Sequence, residues 1–269
     1  MKTDLCILAV AIAFAPFEAQ SAAIPFSEDF NIYDNVGNPS VTPAGFTETV
    51  SADWSVQNDG AGKDYQYSAT RTTLSNQITF FTSASRLTLT NAVGTNFKLS
   101  TKLTIDAASS TTSSYSAYAG VVFLGVSSTV GYAAEVIVSG SAAGSIQLVK
   151  DATVVASDNT GSFSLSTPYT LSLSATYAGA SNLTLDFTVS DGTTSRTISF
   201  TDTTPANGQL FGFRNREDVF FPTGGAITTV NVDYDNLIIV PEPSTVALIT
   251  VGFSIYASRR QKPLSKART

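Results

Sequence analysis

Apolar and polar residues alternate with a period of two along several segments of this chain. The clearest segments are 97–105, 169–177 and 183–190. Because successive side chains of a strand point to opposite faces, each segment predicts a β-strand with one buried and one solvated face. No stretch between the two ends has the 3.6-residue apolar period of an amphipathic helix. The sequence therefore predicts an all-β protein.

Turn residues separate these segments at short intervals. Asp191-Gly192 falls between 183–190 and 193–201, which predicts a hairpin. The Ser/Thr-rich stretch 107–116 is predicted to be a loop between two strands. Many short strands without intervening helices favour an antiparallel jelly-roll β-sandwich over βαβ units. Residues 24–240 are predicted to form one such domain.

The first 23 residues have the pattern of a secretory signal peptide. Lys2 precedes the apolar run 5–17, and small residues follow it up to Ala23. A charged start, an apolar core and a small-residue end are the features of that signal. We predict cleavage after Ala23, with Ser21 as the alternative. A buried N-terminal helix is the competing interpretation.

The segment 241–269 has a second targeting pattern. The apolar run 246–257 lies between a Pro-Glu-Pro tripeptide and a basic cluster, and these flanking residues are Pro241, Glu242, Pro243, Arg259 and Arg260. In order and spacing this segment resembles the PEP-CTERM sorting signal of Gram-negative bacteria. The resemblance implies an exosortase-type membrane peptidase as partner and transient inner-membrane association through a C-terminal hydrophobic helix. It also implies delivery to the cell envelope, cell surface or extracellular matrix. A plain C-terminal membrane anchor is the alternative.

Charge and residue usage exclude several classes of function. Residues 24–240 contain nine basic and eighteen acidic side chains, a net charge of −9. A nucleic-acid-binding protein needs a basic surface to displace counterions from phosphates, so nucleic acid is not an expected partner. The chain has no histidine, and its one cysteine, Cys6, lies within the predicted signal peptide. The mature domain is therefore expected to have no disulfide and no Cys- or His-based metal site.

Three segments of the middle resemble a known β-sandwich family. They are Phe26–Phe30, Gly120–Gly125 and Val232–Val240, and they are similar to the concanavalin A-like lectins and glucanases. The stretch Gly208–Asn215 is similar to the laminin-G-like members. The resemblance implies a jelly roll whose first and last strands lie side by side. It says less about activity, since one fold hosts many functions.

The acidic residues are the candidates for catalysis and for metal binding. Glycosidases of this fold carry Glu-x-Asp-x-x-Glu on one strand, and the sequence lacks this pattern. Neighbouring first and last strands would bring Glu28 or Asp29 close to Asp233 or Asp235. Oxygen ligands of this kind suit a structural Ca²⁺, which is the one cofactor considered. Ordinary surface carboxylates are the alternative.

Exposed aromatic rings are the remaining candidates for ligand binding. We predict exposure, and contact with carbohydrate, for Tyr115 and Tyr118 beside the Ser-rich stretch and for Phe220 and Phe221 beside a charged turn. The leading hypothesis is a non-enzymatic surface or matrix protein that binds exopolysaccharide weakly. The alternatives are a divergent polysaccharide hydrolase and a purely structural matrix protein.

Overall fold

The alternating segments form the strands of two antiparallel sheets that pack face to face. The structure is a computed structural model. It describes residues 25–33, 42–58, 62–74, 79–90, 94–111, 115–127, 130–138, 144–179, 181–220 and 224–242. Within these ranges there are fifteen strands and one 3₁₀ turn, Ser51–Asp53. The predicted all-β antiparallel sandwich is confirmed.

Sheet 1 has eight strands. In chain order they are β1 (Phe26–Glu28), β3 (Trp54–Asn58), β4 (Lys63–Thr73), β6 (Phe97–Ser110), β11 (Pro168–Tyr177), β12 (Leu183–Ser190), β13 (Ser195–Asp202) and β15 (Ala226–Pro241). Their order across the sheet is β13-β12-β11-β6-β15-β4-β3, and β1 also pairs with β15. The first and last strands are thus neighbours, as the resemblance implies.

Sheet 2 has seven strands. In chain order they are β2 (Thr47–Glu48), β5 (Thr79–Thr88), β7 (Tyr115–Gly125), β8 (Tyr132–Ile137), β9 (Ser145–Lys150), β10 (Thr153–Asp158) and β14 (Leu210–Val219). Their order is β10-β9-β8-β7-β14-β5-β2. In both sheets a strand from the end of the chain, β14 or β15, occupies a central position.

Aromatic side chains dominate the core between the sheets. Trp54, Tyr65, Tyr67 and Tyr234 of sheet 1 are buried against sheet 2. The rings of Tyr234 and Phe213 lie 4.3 Å apart, and Trp54 Nε1 donates a 2.8 Å hydrogen bond to Ser83. Large rings bury much apolar surface, and the polar tips of Tyr and Trp need partners when they are buried. These pairs therefore fix the two sheets face to face.

Two local predictions can be compared with the strands. The Asp191-Gly192 hairpin is confirmed, because β12 and β13 pair from Ser190 and Ser195 outward. The predicted loop 107–116 is wrong over most of its length, since β6 continues to Ser110 and β7 begins at Tyr115. Ser and Thr are acceptable on the solvated face of a strand, and pairing of 107–110 with β15 satisfies their backbone groups.

The two predicted targeting segments lie outside the described residues, except for Pro241 and Glu242. The described part contains no helix long and apolar enough to cross a membrane. The prolines were expected to end the last strand at 240, but pairing continues through Pro241, which is opposite Phe97. The Glu242 N–H then donates to the carbonyl oxygen of Asn96 at 2.8 Å.

Candidate functional site

The direction in which the side chains of β14 point defines the two faces of sheet 2. Phe213 stacks on Tyr234 of sheet 1, and Glu217 accepts a 3.1 Å hydrogen bond from Tyr67 of sheet 1. These odd-numbered residues therefore face the core. Because side chains alternate along a strand, Arg214, Arg216 and Asp218 face away from it. The outer face of sheet 2 is called the recessed face below.

Many side chains on the recessed face are buried although they point away from the core. The buried residues are Ala84, Ser116, Ala133, Glu135, Ile137, Gln147, Val149 and Asp218. Every described strand belongs to one of the two sheets, so no third layer of the described chain covers this face. At one end, this face contains a depression that is lined by Val122, Ala133 and Val149 among others. Concave, partly polar surfaces of this kind are where ligands bind.

A buried carboxylate lies in the middle of the recessed face. Glu135 is 0% exposed, and its Oε2 accepts a 2.7 Å hydrogen bond from Gln147. Its Oε1 lies 3.3 Å from a guanidinium nitrogen of Arg214 in an ion pair that lacks hydrogen-bond alignment. Glu135 and Arg214 are both opposite Gly120 of β7, one on each side. Because Gly120 has no side chain, the two charged groups can meet above it.

Next to this pair is a second charged group. The Arg216 guanidinium stacks on the Tyr118 ring at 3.8 Å and also donates a 2.9 Å hydrogen bond to Asp218. Burial raises the pKa of Asp218, and the Arg216 charge opposes this shift. Burial also raises the pKa of the Tyr118 hydroxyl. The stacked and bonded Arg216 is thereby held in one orientation.

One end of the recessed face holds a third arginine. Arg86 is opposite Gly212, and together with Arg214 it lines a small depression of about 20 Å³. Apolar side chains, among them Val122 and Val149, form much of the remaining wall. Arg86 Nε is buried and has no hydrogen-bond partner among the described residues. Burial lowers the pKa of Arg86, since water is partly removed from the charge.

The opposite end of the recessed face holds two exposed aromatic rings. Phe80 is 61% exposed and Phe220 is 36% exposed, and their ring centroids lie 5.9 Å apart in an edge-to-face arrangement. Phe80 is opposite Asp218 in the strand register. Phe80 and Arg86 are six residue steps apart along β5, which corresponds to about 20 Å of strand. The aromatic pair and the arginine depression are therefore the two ends of one long surface.

Polar contacts in the core hold β14 in register beneath this surface. Tyr234 donates to Asn215 Oδ1 at 3.0 Å, and Thr228 donates to Glu217 at 2.5 Å. Both partners come from β15 of sheet 1. Asn215 and Glu217 alternate with the outward residues Arg214, Arg216 and Asp218, so fixing one set positions the other. Such supporting contacts give a site its rigidity.

The predicted carbohydrate-binding residues separate into three groups. Tyr118 and Phe220 both lie on the recessed face. The predicted exposure of Tyr115 is wrong, because this residue is 3% exposed and packs in the core. Period-two alternation from Tyr118 would have placed Tyr115 on the inner face. Phe221 lies outside the described residues.

The predicted calcium ligands do not converge. Glu28 accepts hydrogen bonds from the Phe30 N–H and the Tyr33 hydroxyl, and Asp29 accepts one from the Asn31 N–H. Asp233 accepts a 2.8 Å bond from Gln66. Asp235 faces Lys102 at 3.7 Å. No group of three acidic residues able to hold a metal occurs in the described ranges. The prediction is wrong because a neighbouring strand pair does not by itself point the four carboxylates at one position.

The predicted sorting residues are described only in part. Pro241 ends β15. The Glu242 carboxylate lies 3.1 Å from the Lys98 ammonium group and accepts a 3.1 Å hydrogen bond from Ser174. Pro243, Arg259 and Arg260 lie outside the described residues, so their role in sorting stays a prediction.

Sequence reasoning missed most of the recessed face. Arg214, Arg216, Glu217 and Asp218 were interpreted as a polar turn, but they all belong to β14. The signal was present, because Phe211 and Phe213 begin an alternation that the charged run continues. Four charged residues in five positions looked like a loop because a charged strand face normally lies in solvent. Glu135 and Arg86 had no neighbours in sequence that pointed to a site.

Several solved structures are similar to this chain at TM-scores below 0.5. No protein-family model and no curated protein matches the chain. The alginate lyase Aly36B is 12% identical, with 82% of this chain and 98% of that chain covered and a TM-score of 0.47. A bifunctional GH43-CE protein of Bacteroides eggerthii is 15% identical, with 81% and 26% covered and a TM-score of 0.49. Lectin II from Ulex europaeus is 8% identical, with 78% and 98% covered and a TM-score of 0.40.

These comparisons correct one prediction. The missing Glu-x-Asp-x-x-Glu pattern led us to expect a protein that is not an enzyme. That expectation is wrong, because the alginate lyase Aly36B and the bifunctional GH43-CE protein stand beside lectins among the similar structures. One missing strand motif does not exclude enzymatic activity on a sandwich of this kind. At these low identities the likeness concerns the fold only.

Proposed function

We propose that this protein binds a polysaccharide chain along the recessed face of sheet 2. The chain would extend from the Phe80–Phe220 pair, across Tyr118 and Arg216, to the depression beside Arg86. Sugar rings stack on exposed aromatic faces, and their hydroxyl groups bond to charged and amide side chains. A surface about 20 Å long accommodates several sugar units in a row.

The observation that carries the proposal is the combination of a recessed polar face with exposed aromatic rings at its end. Soluble proteins rarely leave large rings exposed without a use for them, although single exposed apolar residues are ordinary. Phe80 and Phe220 are paired with each other and border a row of buried charged groups. This juxtaposition of apolar surface and fixed polar groups is typical of ligand-binding surfaces.

Affinity electrophoresis of the full-length protein against a panel of soluble polysaccharides tests the proposal. We expect retardation by at least one polymer, and a loss of about tenfold in affinity for Phe80→Ala, since one stacked ring contributes roughly 1–2 kcal/mol. Ile227→Ala is the matched control, because Ile227 is 50% exposed on the outer face of sheet 1. Equal effects of the two substitutions, or no retardation by any polymer, would overturn the proposal.

A second candidate function is cleavage of the bound chain. Two carboxyl groups, Glu135 and Asp218, lie on the recessed face, and the Glu135 charge contributes to raising the pKa of Asp218. A carboxyl group with a raised pKa can donate a proton to a leaving group, while an ionised partner stabilises or attacks the sugar. In this scheme Asp218 is the acid, and Glu135, which is 0% exposed and is held by Arg214 and Gln147, acts through its charge and does not contact the sugar.

Release of reducing ends from any polymer that is bound tests this second function. We expect Asp218→Asn to abolish release while binding persists. Release that is unchanged in this variant would place the chemistry elsewhere, and the absence of release by the unsubstituted protein would leave binding alone.

A further inference from the structure

We infer that the polysaccharide bound on the recessed face is anionic, and that Arg86 and Arg214 bind a carboxylate or sulfate group of one sugar unit. This inference rests on the proposed function and adds the chemical class of the ligand. Two observations carry it: the charges that line the depression, and the lack of a counter-charge for Arg86.

The charges of the depression have one sign. Its charged lining residues are Arg86 and Arg214. Val122, Ala133, Val149 and Leu210 form apolar walls around them. A guanidinium group partly removed from water needs an anion nearby, because burial without one costs free energy. An anionic group of a ligand would supply it, and the planar guanidinium suits the oxygen pair of a carboxylate or a sulfate.

The described residues do not supply that anion to Arg86. No acidic side chain in the described ranges forms an ion pair with it. Its buried Nε has no partner there, which is also true of Nε of Arg214 and Arg216, so the missing carboxylate is what sets Arg86 apart. By contrast, the other two arginines of this face have carboxylates, Glu135 for Arg214 and Asp218 for Arg216. The strand residues of the recessed face thus include three positive and two negative side chains. One further carboxylate, that of Asp151, accepts a 2.8 Å hydrogen bond from the Gly131 N–H beside the depression, and it forms no ion pair with Arg86.

The remainder of the domain makes this excess unusual. Three of the five arginines between residues 24 and 240 lie on the recessed face, although those residues have a net charge of −9. An acidic protein repels an anionic polymer over most of its surface, so a local positive depression also fixes where and in which register the polymer attaches. A neutral ligand could accept hydrogen bonds from these guanidinium groups, but it would not supply the negative charge that Arg86 lacks.

Matched polymers test the inference with the full-length protein. Polygalacturonate is compared with its carboxyl-reduced form, and dextran sulfate with dextran, by isothermal titration at low and moderate salt. We expect one anionic polymer to bind about tenfold or more tightly than its neutral counterpart, and its affinity to fall as salt rises. The pair that shows the difference identifies carboxylate or sulfate as the group.

Variants assign the effect to the depression. We expect Arg86→Gln to remove most of the preference for the anionic polymer and Arg86→Lys to keep part of it. Lys102→Gln is the matched control, since it removes one positive charge from an exposed position on the outer face of sheet 1. Thermal melting of each variant checks that it is folded.

The outcomes separate this inference from the proposed function. Equal binding of the charged and neutral polymers, lost in Phe80→Ala, would overturn the anionic ligand and keep the polysaccharide surface. Binding to none of the polymers would overturn both. A preference that Lys102→Gln reduces as much as Arg86→Gln does would mean attraction by overall charge, and it would overturn the assignment to the depression.

Discussion

The two outer faces of the sandwich are built from different residues for different environments. On sheet 1 the outer face is rich in Thr and Ser, which bond to each other across strands, as Thr188 does with Thr197 at 2.8 Å and Thr184 with Thr201 at 3.2 Å. Its lysines, Lys98 and Lys102, have side chains that are 59% exposed. On sheet 2 the outer face holds arginines and buried carboxylates.

The two outer faces therefore differ in how far their polar groups are in contact with water. Small hydroxyl side chains keep a flat strand surface hydrated and cost little when they are changed. Charged groups in a recess instead need an opposite charge, either from the protein or from a ligand, because water is partly excluded. We therefore expect the same kind of substitution to have different consequences on the two faces.

The largest expected effect is on the buried pair of the recessed face. Glu135→Ala leaves the Arg214 guanidinium without its carboxylate, and we expect the free energy of unfolding to fall by about 3 kcal/mol. Asp186→Ala on the outer face of sheet 1, which removes a bond from Ser199, should cost no more than about 0.5 kcal/mol. Urea unfolding followed by the fluorescence of the single tryptophan, Trp54, measures both.

A double substitution sharpens this comparison. Glu135→Leu with Arg214→Met replaces the ion pair by apolar groups of similar size and should recover most of the lost stability. Equal costs for Glu135→Ala and Asp186→Ala would contradict the view that the two faces differ in hydration.

A smaller effect concerns Asp233 of sheet 1, whose carboxyl group lies next to that of Asp106. Burial, followed by a hydrogen bond with Asp106, raises the pKa of Asp233 to about 7. Folding therefore favours the protonated form. The contribution of Asp233 to the free energy of unfolding is complete below the ordinary pKa near 4, and it is lost as the pH rises through about 7. Between pH 5 and pH 8 we expect the protein to lose about 1 kcal/mol of stability through this group.

Asp233→Asn isolates this contribution. The amide cannot ionise, so the variant should be more stable than the original chain at pH 8 and nearly equal to it at pH 5. Melting temperatures across this range test the expectation, and parallel pH profiles for the two proteins would contradict it.

The smallest expected effect is on the hydroxyl pairs of sheet 1. Thr188→Ala removes one cross-strand hydrogen bond in contact with water, so we expect a loss of roughly 0.3 kcal/mol. The urea midpoint should barely move. A loss above about 1 kcal/mol would mean that this face is held by its side chains as tightly as the recessed face.

The sequence predicted the fold better than the site, and particular residues show why. Strands such as Leu183–Ser190 were found because each alternates cleanly between apolar and polar residues. Glu135 and Arg214 are far apart in sequence and meet only through the register of β7 with β8 and β14. Pairings between distant strands leave no local pattern, so the recessed face could not be found before the sheet order was known.

The positions of β14 and β15 have a consequence for the order in which the molecule can be made. These strands are the last two to be synthesised, yet each joins the two halves of its sheet, β7 to β5 and β6 to β4. Until residues 210–241 are available, the other described strands form four separate partial sheets with open edges, and β1 has no strand to pair with. The arginines of β14 arrive in the same late step. A chain that stops early therefore lacks the cross-link of both sheets and the binding surface together, and long-range closure governs its folding rate.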